Sequence, residues 1–222
     1  MPEEPKDTRE GLLQSGRNSR AIFRNNKVFL IRKFSKFKVT TIKKVIHIRK
    51  PFRPDKNLGR AYNEEMETIP DGDWACLCDL DTCFLSSDAG TILHEYAKRF
   101  PDTGLFTCLT NRVHELAVEQ LYAGRVSDNL DMRHHHEIAE AQKKHLYSVT
   151  PINHPISGYL MMVKKEVWKE SKFSDAIGCL GVDNFFSAAI LARGLKILRM
   201  DGLYLWHSYR IINGVKNKLH LL

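Results

Sequence analysis

Short apolar runs alternate along this chain with longer amphipathic stretches. Residues 44–49, 74–78, 105–110, 159–163 and 196–200 are dense in Val, Ile, Leu, Met, Phe, Trp and Cys, and each predicts a strand. Between them lie helical patterns. Residues 87–99 put Ile92, Leu93 and Tyr96 on one stripe, a helix opening near Lys56 is closed by Ile69-Pro70, residues 165–169 predict a short helix, and residues 182–193 predict one that Gly194 stops. Residues 112–147 carry a polar helical pattern throughout. Pro51 and Pro54 impose a loop after the first strand, and Asp71-Gly72-Asp73 forms a turn before the second. This strand–helix–strand order implies a right-handed crossover and a parallel pair, with functional loops at the carboxyl ends of the strands. Upstream, the β-rich runs 27–32 and 37–42, separated by Lys33-Phe34-Ser35-Lys36, predict a hairpin, while residues 1–20 are polar and aperiodic. There is no internal repeat.

With 222 residues, 43% of them apolar, the chain can bury one full core. The expectation is an α/β domain over residues 44–222, preceded by an extension over residues 1–43. No run approaches the ~20 apolar residues of a spanning helix, and Met1-Pro2-Glu3-Glu4 does not open a signal peptide. A soluble, cytoplasmic chain is therefore expected. The odd set of five cysteines suits reduced thiols, and a zinc site on Cys76, Cys78 and Cys83 is disfavoured because no Cys-x-x-Cys knuckle is present. Charge changes the picture more. Residues 1–60 carry 17 Lys and Arg against 5 Asp and Glu, a net of +12, whereas residues 61–222 carry 17 against 21, a net of −4. A basic block of this size is attracted to polyanions such as nucleic acid, anionic lipid heads or charged glycans, or is a solvated surface with no specific partner.

The chemistry concentrates where the strand Trp74-Ala75-Cys76-Leu77-Cys78 runs into Asp79-Leu80-Asp81. A carboxylate at a buried strand end is costly unless something cationic meets it, which points to a metal site or an active-site acid. Around it stand Asn57-Leu58-Gly59-Arg60-Ala61-Tyr62-Asn63, then Ile156-Ser157-Gly158-Tyr159 with the strand behind it, then Gly181-Val182-Asp183-Asn184, then Leu205-Trp206-His207. In that order, over roughly residues 44–207, these segments resemble family 2-like glycosyltransferases of the GT-A fold.

The resemblance implies a Rossmann-like, mixed, largely parallel sheet flanked by helices, and transfer of a sugar from a nucleotide-diphosphate donor, most often a uridine diphosphate sugar. It implies that Asp81 and Asp79 hold Mn²⁺ or Mg²⁺, hard cations that take oxygen ligands and neutralise a departing diphosphate, with His207 completing the shell and tilting the choice toward Mn²⁺. Asp79 would also reach the ribose. Asp183 becomes the general base toward an acceptor hydroxyl, or else a helix N-cap. Asn57, Gly59, Arg60 and Asn63 would lie against the nucleotide and its phosphates, Gly158 beside the donor sugar, and Arg49, Pro51 and Phe52 around the nucleobase.

The chain departs from that family in two respects. Val182 stands where relatives often carry a Glu before the Asp, which leaves inversion or retention open, and only residues 44–70 precede the Asp-x-Asp strand, so the nucleotide half is abbreviated. Residues 1–60 would then recruit an anionic acceptor: a glycan, a lipid-linked glycan, or DNA with hydroxylated bases. Two other classes stay open, a non-enzymatic polyanion-binding module and a nucleotidyltransferase, the latter lacking its usual Gly-rich signature. The run His134-His135-His136 has the polar surroundings of a solvated helix face. Walker-type loops and the Gly-x-Ser-x-Gly elbow are absent.

Overall fold

In a computed structural model the described residues are 19–24, 27–32, 45–114 and 117–209. The chain divides into two units, 1–43 and 44–222. In the first, strands β1 (Ser19–Arg24) and β2 (Lys27–Arg32) pair antiparallel, Arg24 opposite Lys27. The run 27–32 is thus a strand, paired with the segment before it. Its expected partner, 37–42, lies outside the described residues.

The second unit is α/β. A seven-stranded mixed sheet is built from β3 (Ile46–Arg49), β4 (Trp74–Cys78), β5 (Thr82–Phe84), β6 (Thr103–Thr110), β7 (Val149–Ile152), β8 (Leu160–Lys164) and β9 (Lys196–His207). Its order is β3-β4-β8-β6-β9-β5, with β7 beside the first half of β9. β3, β4, β6 and β9 run in one direction, and β8, β5 and β7 run against them. Helices α1 (Leu58–Thr68), α2 (Ala89–Arg99), α3 (Met132–Gln142), α4 (Lys165–Glu170) and α5 (Val182–Ala192) flank it. None of the described helices is long and apolar enough to cross a membrane.

The alternation of β4 explains why it is buried from end to end. Trp74, Cys76 and Cys78 face a core shared with Ile92, Leu93 and Tyr96 of α2, while Ala75 and Leu77 face another shared with Tyr62 and Met66 of α1, Trp168 of α4, and Phe186 and Ile190 of α5. Cys76 and Cys78 therefore point the same way, their sulfurs 3.8 Å apart, and both are free thiols.

Two segments differ from their sequence patterns. Among the described residues of 112–147, only Met132–Gln142 forms an α-helix. Its N-cap Asp131 accepts from Arg133 N, and the preceding stretch makes two short 3₁₀ turns that drop Val113, Ala117 and Leu121 into the core. β9 runs on from Met200 to His207, its pairing with β6 shifting between Met200 and Tyr204. Gly202 lies against the backbone of Leu146 at that shift, where a Cβ would come within 2.5 Å.

Helix α1 packs equally closely. A Cβ on Gly59 would collide with the carbonyl of Ser174, so Gly59→Ala must push the helix off the 173–175 segment. This overpacking is expected to cost about 1–3 kcal/mol. A thermal melt indistinguishable from that of the parent would contradict this packing.

Candidate functional site

The carboxyl ends of β3, β4, β6 and β9 and the amino end of β8 meet on one side of the sheet, and the chemistry-bearing residues lie there. Asp79 and Asp81 follow β4. The turn between β4 and β5 is held by Thr82, whose hydroxyl donates to the Asp79 carbonyl at 2.7 Å, and by Lys50, whose ammonium donates to the Leu80 and Thr82 carbonyls at 3.1 and 2.6 Å. Thr82 of β5 then pairs with His207 at the end of β9, and Ser208 N donates to the Asp81 carbonyl at 3.0 Å. This pairing sets the imidazole against the two carboxylates.

His207 Nε2 lies 3.3 Å from Asp81 Oδ1 and 3.8 Å from Asp79 Oδ2, and the three potential ligand atoms lie within 4.8 Å of one another. The ring is buried, and its Nδ1 is 2.8 Å from the Arg112 carbonyl. A carbonyl only accepts, so Nδ1 carries a proton and Nε2 is aimed at the two carboxylates. That arrangement is repulsive unless a cation, a proton or a metal, sits between them. The orienting contact through the other ring nitrogen is what metal-bound histidines require. Asn111, itself buried, accepts from His207 N at 2.7 Å and donates to its carbonyl at 3.0 Å, and the Tyr159 ring stacks on the imidazole at 5.4 Å. The donor set fits a divalent ion of the Mn²⁺ or Mg²⁺ kind, with two hard oxygens and one imidazole.

The two carboxylates differ in basicity. Burial pushes Asp79 up to about 6, aided by the neighbouring Asp81 and Asp183 charges and opposed by His207 and the Tyr62 hydroxyl. Partial burial also raises Asp81, but the bond and charge of His207 and the Ser208 hydroxyl outweigh it and hold Asp81 below the usual carboxylate range. A raised carboxylate makes the folded state bind a proton more tightly, so the Asp79 contribution to stability falls as pH rises from about 4 through about 6. A metal competes with that proton. The increase in melting temperature produced by Mn²⁺ is expected to be small at pH 5 and full above pH 7, and an equal increase at both would contradict the assignment.

These residues open into a cleft of about 630 Å³, within the range of small-molecule sites. Asp79, Asp81 and His207 share its lining with Pro51 and Phe52, with Ser157 and Gly158, and with Asp183. Asp183 lies in the first turn of α5, whose N-cap is Gly181 in a left-handed conformation (φ 81°), so the N-cap alternative for Asp183 does not hold. Its Oδ2 accepts from Gly158 N at 2.7 Å and its Oδ1 from Asn184 N at 2.9 Å. Gly158 is required there, because a Cβ would come within 2.6 Å of Asp183 Cβ.

Five of the expected donor-binding residues are placed away from the cleft lining. Asn57 caps α1, accepting from Arg60 N and donating to the Asp175 carbonyl, and the close approach that Gly59 permits is to Ser174. The Arg60 guanidinium pairs with Glu64 at 3.2 Å, and that of Arg49 with Glu65 at 3.2 Å. Asn63 joins α1 to the 168–173 segment through Trp168 Nε1, Phe173 N and the Phe173 carbonyl. Their polar groups anchor a helix. Lys56, Tyr62, Leu80, His114 and Tyr209 line the cleft without having been singled out in the sequence. Of these, Lys56 carries the clearest mark, a positive φ of 58° that no motif announces. The His134–His136 run is also split: His135 is buried, bridging the Tyr204 hydroxyl and the Asn129 carbonyl, while its two neighbours are exposed.

No protein-family model, curated protein or solved structure matches this chain.

Proposed function

We propose that the chain is a metal-dependent glycosyltransferase of GT-A-like fold that moves a sugar from a nucleotide-diphosphate donor, a uridine diphosphate sugar first among them, to an acceptor hydroxyl. The observation that carries this is the convergence of the Asp79–Asp81–His207 cluster and the Asp183 carboxylate on one cleft. Asp79, Asp81 and His207 would hold the metal, which supplies charge neutralisation for the departing diphosphate. Asp183 orients the acceptor hydroxyl and takes its proton, with the Gly158 N–H fixing the direction of the carboxylate. Exposed Phe52, at the cleft, offers a face on which a nucleobase stacks. Three carboxylates in one cleft repel a bare phosphate, which favours a donor delivered with its cation. The basic residues 1–60 are assigned the recruitment of an anionic acceptor, a glycan before DNA.

Nucleoside diphosphate release from a panel of nucleotide sugars tests this, since transferases hydrolyse their donors slowly when the acceptor is missing. Release with one donor, abolished by EDTA, is expected. No release from any donor, together with salt-sensitive retention on DNA or anionic vesicles, would make the chain a polyanion-binding module instead.

A further inference from the structure

Residues 158 and 159 touch three of the functional residues of the cleft, Asp183, Asp79 and His207. Gly158 N donates to Asp183, the Tyr159 carbonyl accepts from Asp79 N at 3.1 Å, and the Tyr159 ring lies on His207. Whatever fixes this segment fixes the base against the carboxylate–imidazole cluster. One side chain grips it from the sheet side. Gln120, at the end of a 3₁₀ turn and wholly inaccessible to solvent, accepts from Ser157 N at 2.8 Å and donates to the Ser157 carbonyl at 3.0 Å. Its amide is in turn held by a bond to Thr107 Oγ1 at 2.7 Å, on the buried strand β6. From the opposite side, α5 holds the preceding residue: Ser187 Oγ accepts from Ile156 N at 3.1 Å and Asn184 Nδ2 donates to the Ile156 carbonyl at 3.3 Å.

From this geometry we infer that Gln120 is a positioning residue that sets the Gly158 N–H, and through it the Asp183 carboxylate, relative to the metal ligands; the inference rests on the glycosyltransferase reading of the same cleft. A buried amide that bonds both the N–H and the carbonyl of one residue is a rigid two-point clamp on the peptides either side of it. Without the clamp the segment is still tied to α5 through Ile156, but the Ser157–Gly158 peptide loses its fixed carbonyl and keeps only the bond from Gly158 N to the Asp183 side chain, so the two can shift together. The metal ligands are held by other means, through Thr82, Asn111 and the Arg112 carbonyl. Loss of Gln120 should therefore uncouple base from metal, a displacement of the kind that costs roughly 100-fold in rate when it approaches 1 Å.

The test uses Gln120→Met, which removes both polar ends, and the isosteric Gln120→Glu, which keeps the volume and loses the two donated bonds when ionised. The first readout is the Gly158 amide in ¹⁵N-labelled protein. Its hydrogen-exchange protection should fall at least tenfold in both variants, while the amide of Met162 in β8 keeps its own. The second readout is donor turnover, with kcat expected to fall roughly 10–100-fold, KM and Mn²⁺ affinity staying within about twofold. Unchanged Gly158 protection in the folded variants, or a loss of Mn²⁺ affinity equal to the loss of kcat, overturns the inference. If the parent turns over no nucleotide sugar, the transferase reading fails, and the amide readout still decides whether Gln120 positions Gly158.

Discussion

Mn²⁺ binding, followed by paramagnetic resonance of the free ion, is expected to weaken roughly 100-fold or more in Asp81→Ala, equivalent to about 2.7 kcal/mol or more. Asp81 is the most exposed of the three candidate ligands, and its carboxylate is held below the usual range by His207 and Ser208. It is thus ready to meet a cation without first giving up a proton, whereas Asp79, pushed up to about 6, has a proton to lose in mildly acid solution. Because the Asp81 side chain is half open to solvent and its backbone carbonyl still accepts from Ser208 N, the variant should melt within a degree or two of the apo parent. A folded Asp81→Ala protein that retains the parent's Mn²⁺ affinity would falsify the metal assignment.

Asp183→Asn is expected to separate chemistry from binding. The amide oxygen of Asn can still accept from Gly158 N, so the cleft wall survives at the cost of the bond from Asn184 N, yet the group can no longer take a proton. Turnover with an acceptor should drop roughly 10²–10⁴-fold, the range ascribed to general base catalysis, with Mn²⁺ and nucleoside diphosphate affinities within a few-fold of the parent. Should turnover fall less than about fivefold, Asp183 is a clip for Gly158 and the base lies elsewhere.

How far the sequence discloses this site depends on how local each signal is. The Asp-x-Asp pair after an unbroken apolar strand is a contiguous pattern, and Asp79 and Asp81 stand where that pattern puts them. His207 was placed by its order along the chain. The pairing of Thr82 with His207 that brings it to the carboxylates depends on β5, a three-residue strand too short to read from periodicity. The α1 segment misleads for a physical reason. A small residue flanked by Asn and Arg at a helix start suits phosphate binding and suits close helix packing equally well, and the 173–175 loop, distant in sequence, takes up the space. Residues 112–147 illustrate the converse, a polar helical pattern whose first half is spent on 3₁₀ turns that sink Val113, Ala117 and Leu121. Gln120 had no sequence signal of its own. A buried glutamine is recognisable only once both of its partners, Thr107 and Ser157, are in place.

Calorimetric titration of the parent protein with uridine diphosphate, in Mn²⁺ and again in EDTA, decides whether the Asp79–Asp81–His207 cluster holds a divalent metal that serves a diphosphate. Binding at least tenfold tighter with Mn²⁺, about 1.4 kcal/mol or more, is the expected result. Equal affinity in the two buffers, or no binding in either, would contradict it.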